Sequence, residues 1–169
     1  MHHAHQKALG LIELLFCLAL LAVFASLALP AFGQWVERTR LEALRDQLQA
    51  HLNSARADSV LHNRAIEVCG SADGQTCDDD WQSGWVSHFA SDQRLLKQYR
   101  LGVQDRLAWT GASSRIRFQG NGTAPLGNGR FFFCDRQGKV VSQLVLNRQG
   151  RIRRVQGLEQ GQNPQTSCN

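Results

Sequence analysis

Four arginines fall within seven positions near the end of this chain: Arg148, Arg151, Arg153 and Arg154. The planar guanidinium fork suits phosphate recognition better than a point charge does. The net charge of +5 is concentrated around them. Residues 130–169 hold seven basic side chains, six of them Arg, against two acids, Asp135 and Glu159, whereas residues 36–129 hold eleven of each sign. In an extended segment Arg151 and Arg153 point to one face and Ile152 and Arg154 to the other, with Arg148 in the preceding turn. Three or four phosphate contacts from such a cluster give sequence-independent binding with a marked salt dependence. No ladder of aromatics lies nearby for base stacking, which argues against single-strand specificity. The competing reading is a solvated strand face, or a surface that pairs with acids on neighbouring subunits.

A second group that calls for a reason is Glu13. It interrupts an apolar run in which Leu14–Leu29 carries no charge and a single hydroxyl, Ser26, and which Pro30 ends. With Leu9–Ile12 before it and Ala31 and Phe32 after, the run reaches the roughly 20 residues a bilayer helix requires. A carboxylate in hydrocarbon costs about 2.5–3.5 kcal/mol on insertion scales, so it marks a functional position unless headgroups wet it near the helix end. The cysteines divide in the same way. Cys17 lies in the apolar run as a small packing residue. Cys69, Cys77, Cys134 and Cys168 form an even set beyond it and read as two disulfides in an oxidising compartment. Of three connectivities, the expected one closes a short loop (Cys69 with Cys77) and clamps the C-terminal tail (Cys134 with Cys168). No pair has the C-x₂₋₄-C spacing of a zinc site, and Asp78-Asp79-Asp80 lacks the calcium-loop spacing, so no metal is expected. His51, His62 and His88 accompany no nucleophile or phosphate-loop motif, so neither an enzyme nor a cofactor is expected.

These groups need elements to hold them. Leu41, Leu44, Leu48, Leu52 and Ala55 recur at three- and four-residue steps among polar residues, one apolar stripe on a helix. A single helix from Leu9 to His62, kinked at Pro30, would run roughly 80 Å. Beyond it the period changes. Arg64–Gly70, Trp85–Phe89, Leu95–Val103, Leu107–Trp109, Arg115–Phe118, Arg130–Cys134, Ser142–Leu146 and Gly150–Val155 read as strands, with a polar loop at 71–84. Turn signals at Gly120-Asn121-Gly122, Gly127-Asn128-Gly129 and Asn147-Arg148-Gln149-Gly150 separate several of them. Helix first and strands afterwards predicts an α+β fold, antiparallel sheet packed on a long N-terminal helix.

Ala8-Leu9-Gly10-Leu11-Ile12-Glu13-Leu14-Leu15 resembles the cleavage motif of type IV pilins and type II secretion pseudopilins. The resemblance implies that prepilin peptidase cuts between Ala8 and Leu9 and that Leu9 is N-methylated. Glu13 then stands fifth in the mature chain, and Pro30 falls where pilins carry their helix-kinking proline. Pilins usually have Gly before the cut, where this chain has Ala8; a cut after Gly10 would leave Glu13 third. The implied organisation is a leader (1–8), a membrane or filament-core helix (9–35) in the inner membrane, and a periplasmic pilin-like domain (36–169). Glu13 would serve assembly by pairing with a neighbouring subunit's N-terminal amine, each offsetting the other's burial. A secretory signal peptide cut near Ser26-Leu27-Ala28 is the rival, but such h-regions are shorter and lack an internal acid.

Farther on, Ser54–Ser59 with Asn63–Cys69, then Asp80-Trp81-Gln82-Ser83-Gly84-Trp85, then Arg117-Phe118-Gln119-Gly120-Asn121-Gly122-Thr123 resemble successive elements of FimT/GspH minor pilins. Gly150-Arg151-Ile152-Arg153 resembles a C-terminal G-R-x-R motif of FimT-type pilins associated with DNA uptake in natural transformation. That likeness implies a minor pilin, among other pilins, that grips double-stranded DNA through Arg151 and Arg153, assisted by Arg148, Arg154 and Lys139. Two alternatives stand beside it: a structural minor pilin of the type IV pilus, and a GspH-like pseudopilin of type II secretion.

Overall fold

A computed structural model of the chain describes residues 10–163 and residue 168, without the side chain of Pro30. Ala8 and Leu9, the expected cleavage and methylation positions, lie outside the described residues. Helix α1 spans Leu11–Leu61, Pro30 included. Two compact units meet between Glu37 and Arg38. In the first, the most apolar 18-residue window of the helix has a mean hydropathy of 2.6, and none of it is buried. Glu13 sits in the first turn, its N–H donating to the Gly10 carbonyl at 3.0 Å. Cys17 is a free, exposed thiol.

In the second unit the helix turns its leucine stripe inward. Leu41, Leu48 and Leu52 are fully buried, and Leu44 and Ala55 nearly so. Truncating one such leucine to Ala costs about 2–5 kcal/mol in a packed core. The helix stops at Leu61, one residue short of the sequence expectation, because Asn63 enters the left-handed region at φ 48°. The Arg64 N–H then donates to the Ser59 carbonyl (3.1 Å) and the Asn63 N–H to that of Val60 (3.2 Å), which satisfies carbonyls the helix end would leave bare.

Eight strands follow: β1 (Ile66–Gly70), β2 (Gly84–Phe89), β3 (Leu95–Arg100), β4 (Arg106–Gly111), β5 (Ile116–Phe118), β6 (Gly129–Cys134), β7 (Val140–Leu146) and β8 (Ile152–Gln156). They pair antiparallel throughout, in two four-stranded sheets of order β3-β2-β1-β5 and β4-β6-β7-β8. The third run ends at Arg100, not Val103: the Leu101 N–H turns back to Ser83, and Val103 stands fully exposed. The seventh begins two residues early, because Val140 is buried beside Phe132 and Cys134. One apolar cluster joins the helix stripe to both sheets through Ile66, Val68, Trp85, Phe89, Phe118, Phe131, Phe133 and Leu144. Among the described residues, every buried apolar side chain lies at or beyond Leu41, so this unit carries its own core.

Candidate nucleic-acid interface

The second sheet uses one five-residue turn twice. Asp135-Arg136-Gln137-Gly138-Lys139 joins β6 to β7, and Asn147-Arg148-Gln149-Gly150-Arg151 joins β7 to β8. In each, the glycine N–H donates to the first residue's carbonyl (3.0 and 2.9 Å), and the first N–H to the fifth carbonyl (3.0 and 3.1 Å). The Asp or Asn side chain accepts the fifth N–H, at 2.8 Å from Lys139 and 2.9 Å from Arg151. Gly138 (φ +77°) and Gly150 (φ +73°) take the left-handed conformation the turn needs. Each turn thus presents basic side chains at its second and fifth positions. They stand at opposite ends of β7, about 20 Å apart at the rise of a strand. Lys139 is therefore not brought into the arginine cluster with which the sequence reading grouped it.

The two turns differ in what lies beneath them. Gly138 faces open space, whereas a Cβ on Gly150 would meet the Gly122 carbonyl oxygen at 2.4 Å and Arg56 Nε at 3.1 Å. The Ala124 N–H donates to the Arg148 carbonyl at 2.9 Å, and Arg56 Nε donates to the Gly122 carbonyl at 2.8 Å. The β7–β8 turn is docked against the 119–124 turn and the helix, and glycine is the residue that permits the approach.

Placed on this frame, the four arginines separate into three situations. Arg148 and Arg151 are exposed, and among the described residues no side-chain partner holds either guanidinium. Arg153 stands opposite Val145 and donates from Nη2 to Glu159 at 2.8 Å; Arg130, opposite the same Val145 from β6, binds the same carboxylate. Hydrogen bonds from Arg130 and then Arg153 hold the Glu159 carboxyl below its ordinary range. Arg154 stands opposite buried Leu144, on the other face, where it reaches Gln49 at 2.5 Å and Asp46 at 3.4 Å on the helix. The cation cluster of the sequence is thus partly neutralised in the fold. Glu159 and Arg56 were missed in the sequence because each approaches only through tertiary packing.

The structure pairs Cys69 with Cys77 and Cys134 with Cys168. The first bridge ties the 71–83 loop to β1. His88, which the register places on the same face as Cys69, brings Nε2 to 3.0 Å from Cys77 Sγ. These three residues offer ligand atoms within 4.8 Å of one another, but the two sulfurs are bonded to each other. Asp79 accepts from Arg115 Nε at 3.1 Å, and the loop's other three acids are turned inward on their own backbone. Asp73 accepts from the N–H groups of Thr76 and Gln75, which hold its carboxyl well below the usual range, and Asp78 and Asp80 cap Ala72 and Gln82.

The family model described as type II transport protein GspH matches residues 45–150. Its span reaches the docked turn and stops before Arg151–Arg154. Two crystal structures of the Pseudomonas aeruginosa (strain PAO1) type IV minor pilin FimU are similar in fold. The form in space group P21 has 23% identity and a TM-score of 0.56 over 70% of this chain and 90% of that one. The P65 form has 26% identity and a TM-score of 0.54 over 68% and 91%. No curated protein matches the chain. With a model match over more than half its length, this chain belongs to the GspH family of pilin-like proteins, structural and non-enzymatic subunits built on an N-terminal apolar helix.

Proposed function

We propose that this chain is a FimT-type minor pilin whose β7–β8 turn grips the phosphate backbone of double-stranded DNA for uptake in natural transformation. In this reading prepilin peptidase cuts between Ala8 and Leu9, Leu9 is N-methylated, and residues 9–35 anchor the chain in the inner membrane until assembly. Glu13 and Pro30 serve packing against other pilins, and residues 36–169 face the periplasm and then the cell surface. The observation that carries it is the pair of exposed guanidiniums, Arg148 and Arg151, uncommitted among the described residues and fixed on a docked turn. Donors held in place lose less freedom on binding than donors on a mobile loop.

The test is duplex binding by residues 36–169, disulfides intact, followed by fluorescence anisotropy across a salt series. Each phosphate contact contributes about 0.9 to the log–log slope. These two contacts therefore contribute a factor of about 12 to the loss of affinity between roughly 50 and 200 mM salt. An Arg148→Ala, Arg151→Ala double variant removes this factor. A wild-type domain that binds no duplex at the lower salt sinks the proposal.

A second reading is favoured by Glu159 and Asp46, which satisfy Arg153 and Arg154 within the subunit. It makes the chain a structural minor pilin whose arginine edge meets neighbouring pilins. A deletion strain that loses pili altogether supports this second role, whereas one that loses transformation with intact twitching supports the first. Retained pili and transformation with a secretion defect point to the pseudopilin role.

A further inference from the structure

We propose that Arg56, a little more than twenty residues past the apolar segment on α1, is a third phosphate ligand of the same tip; the proposal rests on the DNA reading above. The sequence gives no hint of it, since Arg56 stands on a polar helix face among balanced charge. The fold brings it under the turn. Its Nε donates to the Gly122 carbonyl at 2.8 Å, and its Nε and Cδ lie 3.1 and 3.4 Å from where a Gly150 Cβ would stand. The side chain therefore runs between the 119–122 turn and the 147–150 turn, directly beneath Gly150, which precedes Arg151.

One edge of this guanidinium is used and the other is not. Nη1 and Nη2 engage no protein partner among the described residues, and neither belongs to the set of buried polar atoms without a partner, so they face water. Three cationic groups from two elements thus meet at one end of the domain: a pinned fork from the helix and two freer forks from the hairpin. A phosphodiester laid across the turn accepts from all three, and the pinned member loses the least side-chain freedom in doing so. The same arrangement gives a physical reason for glycine in Gly150-Arg151-Ile152-Arg153. Any side chain at 150 would collide with the Gly122 carbonyl and displace Arg56. In the twin turn at Asp135–Lys139, by contrast, a Cβ on Gly138 meets nothing within 4 Å.

The probe is a fluorescein-labelled duplex of mixed sequence titrated with residues 36–169, whose core is self-contained. Three contacts predict that wild-type affinity falls about 40-fold between roughly 50 and 200 mM salt, and Arg56→Gln reduces this to about 12-fold. Arg56→Lys keeps the charge and loses the fixed Nε bond; it retains the steep salt response. Wild-type steepness in Arg56→Gln overturns the proposal. So does Arg56→Lys matching Arg56→Gln, because that would make Arg56 a positioning residue only. If Arg56→Gln unfolds, wild type and Arg56→Lys decide together: a loss of about 40-fold in both supports the ligand role, and a loss of about 12-fold in wild type or a flattened Arg56→Lys overturns it. A wild-type domain that fails to bind at the lower salt removes the DNA reading itself, an outcome distinct from the loss of Arg56 alone.

Discussion

Under the proposed DNA reading, Glu159 competes with phosphate for Arg153, and removing its charge should strengthen DNA binding. The perturbation is Glu159→Gln, which keeps the size and one acceptor oxygen but withdraws the carboxylate that both Arg153 and Arg130 now face. The two arginines are not released equally. Arg130 keeps Gln143 as a partner at 3.3 Å and is 32% exposed, whereas Arg153 has Glu159 as its recorded partner and is 56% exposed. One new phosphate contact follows, not two. It steepens the log–log salt slope by about 0.9, which over a fourfold salt range is an extra factor of about 3.5 in the affinity ratio. The tail itself is held elsewhere, by the Glu159 N–H to Gln162 at 2.8 Å and by the Cys134–Cys168 bridge, so the substitution does not unravel it. Anisotropy titrations of wild type, Glu159→Gln, and Glu159→Gln with Arg153→Ala give the slope directly, and the third variant returns to the wild-type value. An unchanged slope in Glu159→Gln refutes the competition. So does a steeper slope that survives loss of Arg153, since the gain would then be long-range charge alone.

Gly138→Ala and Gly150→Ala form a matched pair in urea denaturation. Both place a side chain at positive φ for about 1 kcal/mol, but only Gly150→Ala also drives a Cβ into a carbonyl, which raises its cost to roughly 3 kcal/mol or more. Equal losses would mean the β7–β8 turn is not docked. His51 gives a pH dependence: burial, and then the Lys97 charge, lower its pKa from 6.5 to about 4. The unfolded chain thus binds the proton first, so stability is complete above pH 6.5 and falls by about 3 kcal/mol as the pH drops to about 4. His51→Leu should flatten melting temperature against pH in that window. Glu67, with a side chain 7% exposed, accepts from Arg115 at 3.2 Å and Arg117 at 2.9 Å. Either arginine alone costs about 1 kcal/mol when changed to Ala, but both together leave a buried carboxylate bare and cost about 3 kcal/mol or more. Strict additivity in a double-mutant cycle would mean that water already reaches the acid.

The elements legible in the sequence are those whose signals are local. Leu41 to Ala55 betray the buried helix face through their spacing, and the Asn147–Gly150 turn betrays itself because glycine alone sits easily at positive φ. The alternation of Arg153 and Arg154 was legible for the same reason, since a strand's period of two requires no knowledge of its partners. Division of the strands into two sheets was not, because the choice of hydrogen-bonding neighbour depends on residues far off in the chain. Nor was the fate of the charges. Asp46 meets Arg154 across more than a hundred residues, and Arg56 reaches Gly150 only because β7 and β8 fold back over the helix. Sequence counted the arginines correctly and could not tell which were already spoken for.

Strand β8 is the outermost strand of its sheet, so among the described residues one row of its backbone N–H and C=O groups has no neighbouring strand. A bare edge of this kind invites the same edge of another molecule to add on, and repeated addition ends in aggregation. Here the approach of a second copy in antiparallel register would bring Arg151, Arg153 and Arg154 against their own equivalents before any ladder bond could form. The basic hairpin therefore keeps concentrated subunits apart as well as offering donors to a ligand. A polyanion that neutralises the hairpin lifts that repulsion, so solutions of the domain should turn cloudy near charge equivalence and clear again when nucleic acid is in excess.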